Sequence, residues 1–102
     1  MPEEDREQLR AELEEMLEVR RQTAAIPAAD LVARYLMQFG DLVTIYLESD
    51  PPNFAEAATV IEAFRGALDA TGERLGEHRP VLTELLGQLQ MIFVDVKRRT
   101  EG

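Results

Sequence analysis

The chain has no cysteine and no tryptophan, and its 102 residues include one histidine (His78), one serine (Ser49) and one lysine (Lys97). Each shortage removes a class of chemistry. Without cysteine there is no disulfide, no thiolate nucleophile and no thiolate metal site, and nothing marks a redox compartment. A lone serine with no histidine or lysine in its own segment has no partner to activate it as a nucleophile. A lone histidine needs an orienting partner and a pocket to act as a base, or further ligands to hold a metal. It stands in Gly76-Glu77-His78-Arg79-Pro80, which reads as an exposed turn before a helix. Sites that mix helical carboxylates with histidine place them as Glu-x-x-His, and here Glu77 directly precedes His78. The glycines follow no phosphate-loop spacing and no strand precedes them.

Long apolar runs are also missing. Residues 31–47 form the most apolar stretch, but Arg34, Gln38 and Asp41 interrupt it, and it is too short and too charged to span a bilayer. The opening Met-Pro-Glu-Glu-Asp has neither a basic region nor an apolar run, so no secretory leader is expected and a cytoplasmic location is the default. Twenty acidic residues against eleven basic ones give a formal charge of −9. That balance repels phosphate, so neither nucleic acid nor an anionic membrane is an expected partner. An acidic protein that mimics DNA in a basic cleft is a third class of reading. It requires a continuous acidic band.

What the chain does have is apolar periodicity. Hydrophobic residues make up 45% of it, the ordinary proportion for a globular domain, and the length fits one domain. Leu31, Tyr35, Leu36, Phe39, Val43 and Tyr46 fall on one side of a helix; so do Ala57, Ile61, Phe64 and Leu68, and so do Leu82, Leu85, Leu89, Ile92 and Val96. Four helices follow. The first, from about Pro2 to Gln22, begins with Glu3, Glu4 and Asp5 at the positive end of the helix dipole and ends with Arg20 and Arg21. Its apolar stripe is thin: Leu9, Leu13, Met16 and Leu17, with Arg6 and Arg20 where a coiled coil would continue. The low-charge segment 23–29, with Pro27, separates a charged N-terminal helix and linker (1–26) from a core domain (27–102).

The second helix runs from Pro27 or Ala28 to Glu48. Its apolar face is broad, and Gly40 inside it suggests close approach by another helix. Ser49-Asp50-Pro51-Pro52-Asn53 stops it, and Asn53 with Glu56 has capping-box spacing, so the third helix should start at Phe54. Gly72 and Gly76 are its alternative stops. The last helix is expected from Pro80 to Arg99, with Lys97, Arg98 and Arg99 complementing the dipole at its end.

The carboxylates Glu12, Glu14, Glu15 and Glu18 include one Glu-x-x-Glu pair, Glu15 and Glu18, as used for magnesium by helical nucleotide pyrophosphohydrolases. Those enzymes need a second acidic pair on a later helix. The scattered Asp41, Glu48, Glu56, Glu62 and Asp69 do not form one, so a solvated face with Glu14–Arg10 or Glu18–Arg21 pairing is the simpler reading.

The apolar helix 31–47, the Asp50-Pro51-Pro52 loop, the Val60-Ile61 stripe and the closing Leu85-Leu86-Gly87-Gln88-Leu89-Gln90-Met91-Ile92-Phe93-Val94 resemble a family of small bacterial helical domains of unknown function. The resemblance covers residues 31–97 and implies a fold and a bacterial origin. It implies no activity and carries no functional residues.

The expected fold is all-α: a small antiparallel helical bundle of three core helices plus a polar N-terminal helix that docks on them or on a partner. The second and fourth helices carry more apolar surface than a three-helix monomer covers. The sequence therefore predicts a non-catalytic protein–protein interaction or scaffold module that self-associates, a homodimer first. No catalytic, cofactor-binding or metal-binding residue is assigned. The alternative is a metal-dependent hydrolase whose carboxylate site forms across a dimer interface.

Overall fold

A computed structural model describes residues 2–101, and over that range the chain is helical without a strand. It contains α1 (Glu3–Ala24), α2 (Ala28–Glu48), α3 (Phe54–Thr71), a 3-10 turn (Gly72–Leu75) and α4 (His78–Glu101). Local sequence accounts for the boundaries. Pro2 and Pro27 sit at the N-caps of α1 and α2, where a missing N–H costs nothing. Ser49, in extended geometry, ends α2; its hydroxyl donates to the Tyr46 carbonyl, which also accepts from the Asn53 N–H. The Asp50–Pro51 bond in this loop is cis. Asn53 caps α3 as its spacing predicted, its side-chain oxygen accepting from the Glu56 N–H at 3.3 Å. Gly72 and Gly76 both act as stops. With φ near +52° and +56°, they break the chain before and after the 3-10 turn in conformations that favour glycine.

Two boundaries differ from expectation. α1 continues through Ala24, since Thr23 and Ala24 are adequate helix residues before Pro27. α4 starts at His78 instead of Pro80. The first-turn N–H groups of a helix lack an i−4 partner, so Pro80 fits inside that turn and does not have to open it.

The core lies among α2, α3 and α4. Twelve hydrophobic side chains are buried there, with Phe64, Leu82 and Val43 almost wholly enclosed. α3 buries Ala57, Ile61, Phe64 and Leu68, the stripe read from sequence. Phe54 at the start of α3 meets Phe93 of α4 edge-on, ring centroids 5.6 Å apart. On α2 the buried line is Ala33, Leu36, Gly40, Val43 and Leu47. It is turned away from Tyr35, which is 58% exposed, because the small Ala33 and Gly40 let neighbours come close and the bulky ring is left outside. A Cβ at Gly40 would lie 3.5 Å from Leu85 Cδ2, so the close approach is made by side chains at ordinary contact distance. Ile92 is likewise off the buried side of α4, which is Leu82, Leu86 and Leu89, and stands 42% exposed.

α1 touches none of the other elements and buries no residue. It projects from the core, giving extents of 68 × 36 × 16 Å and a radius of gyration of 19.9 Å, against about 13 Å for a compact chain of this length.

Candidate functional site

The polar residues singled out by sequence separate into two places. The carboxylates of α1 are all exposed, and no three His, Asp or Glu side chains converge in a way that could hold a metal ion among the described residues. Of the ion pairs considered for α1, Arg21–Glu18 forms at 3.2 Å, well exposed. Glu18 also accepts from Gln22, and Glu12 from Gln8. These contacts describe a hydrated helix surface.

His78 has an orienting partner that sequence did not reveal. Its Nε2 lies 2.6 Å from Asp30 Oδ1, joining the first turns of α4 and α2. Both side chains are close to half exposed. The two residues are 48 apart in sequence, which is why neither signalled the other. The contact ties two helix ends together and contributes about 0–1 kcal/mol at this exposure. Ser49 is occupied with backbone carbonyls and stands far in sequence from any histidine.

Concave surface among the described residues is shallow, and one such hollow, of about 330 Å³, lies along α4 itself between Met91, Asp95 and Arg98. A cleft of about 350 Å³ lies between α3 and α4, with Ile61 and Phe93 in its wall and Glu62 and Arg65 bringing both signs of charge. Another of about 300 Å³ lies between α2 and α4. Its floor is Gly40, Leu85 and Leu89, its lips include Met37 and Ile92, and Asp41 is its charged group. Both are at the small end of the range for ligand pockets, and neither gathers converging polar groups.

The exposed apolar groups are the more distinctive feature. Tyr35, Met37 and Ile45 on α2 and Val81, Met91, Ile92 and Val94 on α4 are all more than two-fifths exposed, Met91 reaching 69%. On α1, Leu9, Leu13, Met16 and Leu17 stand about half exposed. Helical geometry groups these leucines with the arginines. Arg6, Arg10, Leu13, Leu17, Arg20 and Ala24 step by alternating intervals of four and three and so line one face, with Leu9 and Met16 beside them. Glu4, Glu7, Glu15 and Glu18 lie on the opposite face, while Glu3, Asp5, Glu12 and Glu14 edge the leucine-and-arginine one. Counting apolar residues alone missed this; the spacing of the arginines was the available signal.

No helix is long and apolar enough to cross a membrane among the described residues. No family model, curated protein or solved structure matches the chain.

Proposed function

We propose that this chain is a non-catalytic helical interaction module that works by self-association, with a homodimer as the working unit in the cytoplasm. The observation that carries this reading is α1: a 22-residue helix with an apolar face and no contact with the rest of its own chain. Helices in proteins draw most of their stability from packing of an amphipathic face, and the face of α1 that carries Leu9, Leu13, Met16 and Leu17, each about half exposed, has nothing of its own chain docked on it. The exposed apolar groups on α2 and α4 add a second surface of the same character. The core helices are read as a small antiparallel bundle, supported by Phe54 at the head of α3 meeting Phe93 late in α4. The likeness to small bacterial helical domains belongs to the same reading.

Sedimentation equilibrium of the full chain from about 1 to 100 µM tests it. The expected result is the mass of two chains at the upper end, dissociating on dilution; a monomer throughout the range would overturn it. The hydrolase alternative has no observation in its favour, since its Glu15 and Glu18 pair faces away from the apolar side of α1.

A further inference from the structure

The two faces of α1 differ in charge, and the difference selects a partner. The helix carries eight of the 20 acidic residues and four of the 11 basic ones, which leaves twelve acidic and seven basic residues elsewhere, a net −5. Taken whole, α1 is acidic and would be repelled by the rest of the molecule. Its apolar face is not acidic, because Arg6, Arg10 and Arg20 lie on it among the leucines, while four of the eight carboxylates are turned to the other side and the other four stand at its edges. A surface complementary to that face has an apolar floor and acidic margins.

The cleft between α2 and α4 has this composition. Gly40, Leu85 and Leu89 make an apolar floor with Met37 and Ile92 above it, and Asp41 is the charged residue in its wall. The same side of α2 continues to Glu48, seven residues after Asp41, and Glu84, one turn before Gln88, stands at the margin on α4, whereas Asp95 lines a separate concavity of α4 beside Arg98. Basic groups on these sides are Arg34 and Arg99 towards the two ends and His78, which already faces Asp30. The α3/α4 cleft carries Arg65 beside Glu62 and lacks a single sign. Lengths also agree. Leu9 to Leu17 spans about 12 Å of helix, and Met37 to Thr44 and Leu85 to Ile92 each span about 10 Å.

We propose that the leucine-and-arginine face of α1 docks in the α2/α4 cleft of a second copy, and reciprocally, so that the dimer is an exchange of N-terminal helices. This rests on the self-association reading above and names the surface that achieves it. The linker favours exchange over folding back. Ala25 keeps helical geometry, Pro27 has its ring-fixed φ of −57° with an extended ψ of 135°, and Ile26 before it is biased to extended conformations. That path holds α1 away from its own core, and reaching its own cleft requires a different turn at Ile26–Pro27. Docking on a second copy keeps the linker as it is. A two-fold arrangement fills both clefts with one type of contact and buries the surface twice.

The absence of cysteine makes the test clean. Leu9→Cys, Leu13→Cys and Leu17→Cys chains are each mixed with Met37→Cys or Ile92→Cys chains and mildly oxidised. All five positions are exposed, so the fold does not depend on them. The expected product is a disulfide between an α1 variant and a cleft variant, outnumbering either homodisulfide in at least one mixture. In parallel, combined Arg6→Glu, Arg10→Glu and Arg20→Glu should weaken the dimer at least about tenfold, while Glu4→Gln with Glu15→Gln on the opposite face leaves it unchanged. Three outcomes overturn the exchange. Dimers with only α1–α1 or cleft–cleft disulfides would refute it but leave self-association standing. So would a dimer whose disulfide forms inside a single chain when both cysteines are placed on it. A monomer at every concentration would sink both.

Discussion

α1 and α3 are helices of similar length with apolar residues at helical spacing, yet one buries four side chains and the other none. The stripe of α3 is Ala57, Ile61, Phe64 and Leu68, with Val60 and Ala67 beside it, and its flanks carry few charges. That makes a face wide enough to meet both α2 and α4. The stripe of α1 is narrow and is interrupted by arginines at the positions where it would widen. Long charged side chains beside an apolar line keep it compatible with water while leaving it able to dock. Helical spacing alone therefore predicts a helix with a sided surface, and the breadth of that surface decides whether the chain's own core covers it.

The sharpest way to break the comparison is at the centre of α3. Phe64 is fully enclosed, and Phe64→Ala should cost about 3–5 kcal/mol, a large part of the stability of a small domain. Urea unfolding followed by circular dichroism reads this directly. A loss below 1 kcal/mol would mean that the three-helix core is not packed as described.

Smaller effects come from the joints that set the core helices in place. Gly76→Ala forces a side chain into a backbone with φ near +56°, and about 1–2 kcal/mol should be lost although nothing lies within 4 Å of the new Cβ. Removing the α3 cap with Asn53→Ala should cost about 1 kcal/mol. Gly40→Ala has the opposite sign. The added methyl sits at ordinary contact distance from Leu85 and Leu89, and α2 gains helix propensity, so thermal unfolding should show a stabilisation of about 0.5–1 kcal/mol.

These joints also show what sequence could and could not reveal. The proline loop, the Asn53 cap and the glycine stops were legible because each depends on a local backbone requirement. The α3 stripe was legible because its buried residues, the small Ala57 included, follow one unbroken helical spacing. On α2 the reading followed the large residues and put Tyr35 on one side with Leu36 and Val43, whereas the buried line runs through the small Ala33 and Gly40 and leaves Tyr35 exposed. Volume matching between helices is a tertiary property that periodicity does not contain. The His78–Asp30 contact was hidden for the same reason, being made by two helix starts brought together only by the fold. The detachment of α1 was half legible: its thin stripe announced weak docking, but that α1 meets none of the other elements is set by the tertiary arrangement.

The smallest expected effect tests the comparison most severely. Leu13 is central to the α1 stripe and half exposed, and in a dilute monomer Leu13→Ala should leave core unfolding within about 0.5 kcal/mol of the parent. At high concentration the parent gains stability from association by mass action, and the variant, with its docking face truncated, should gain less. Parent and variant curves should thus coincide at about 1 µM and separate at about 100 µM. If they separate equally at both concentrations, Leu13 is packed within its own chain and α1 is an ordinary fourth member of the core. If they never separate, the α1 face contributes nothing to association and the exposed groups of α2 and α4 are the only candidates left.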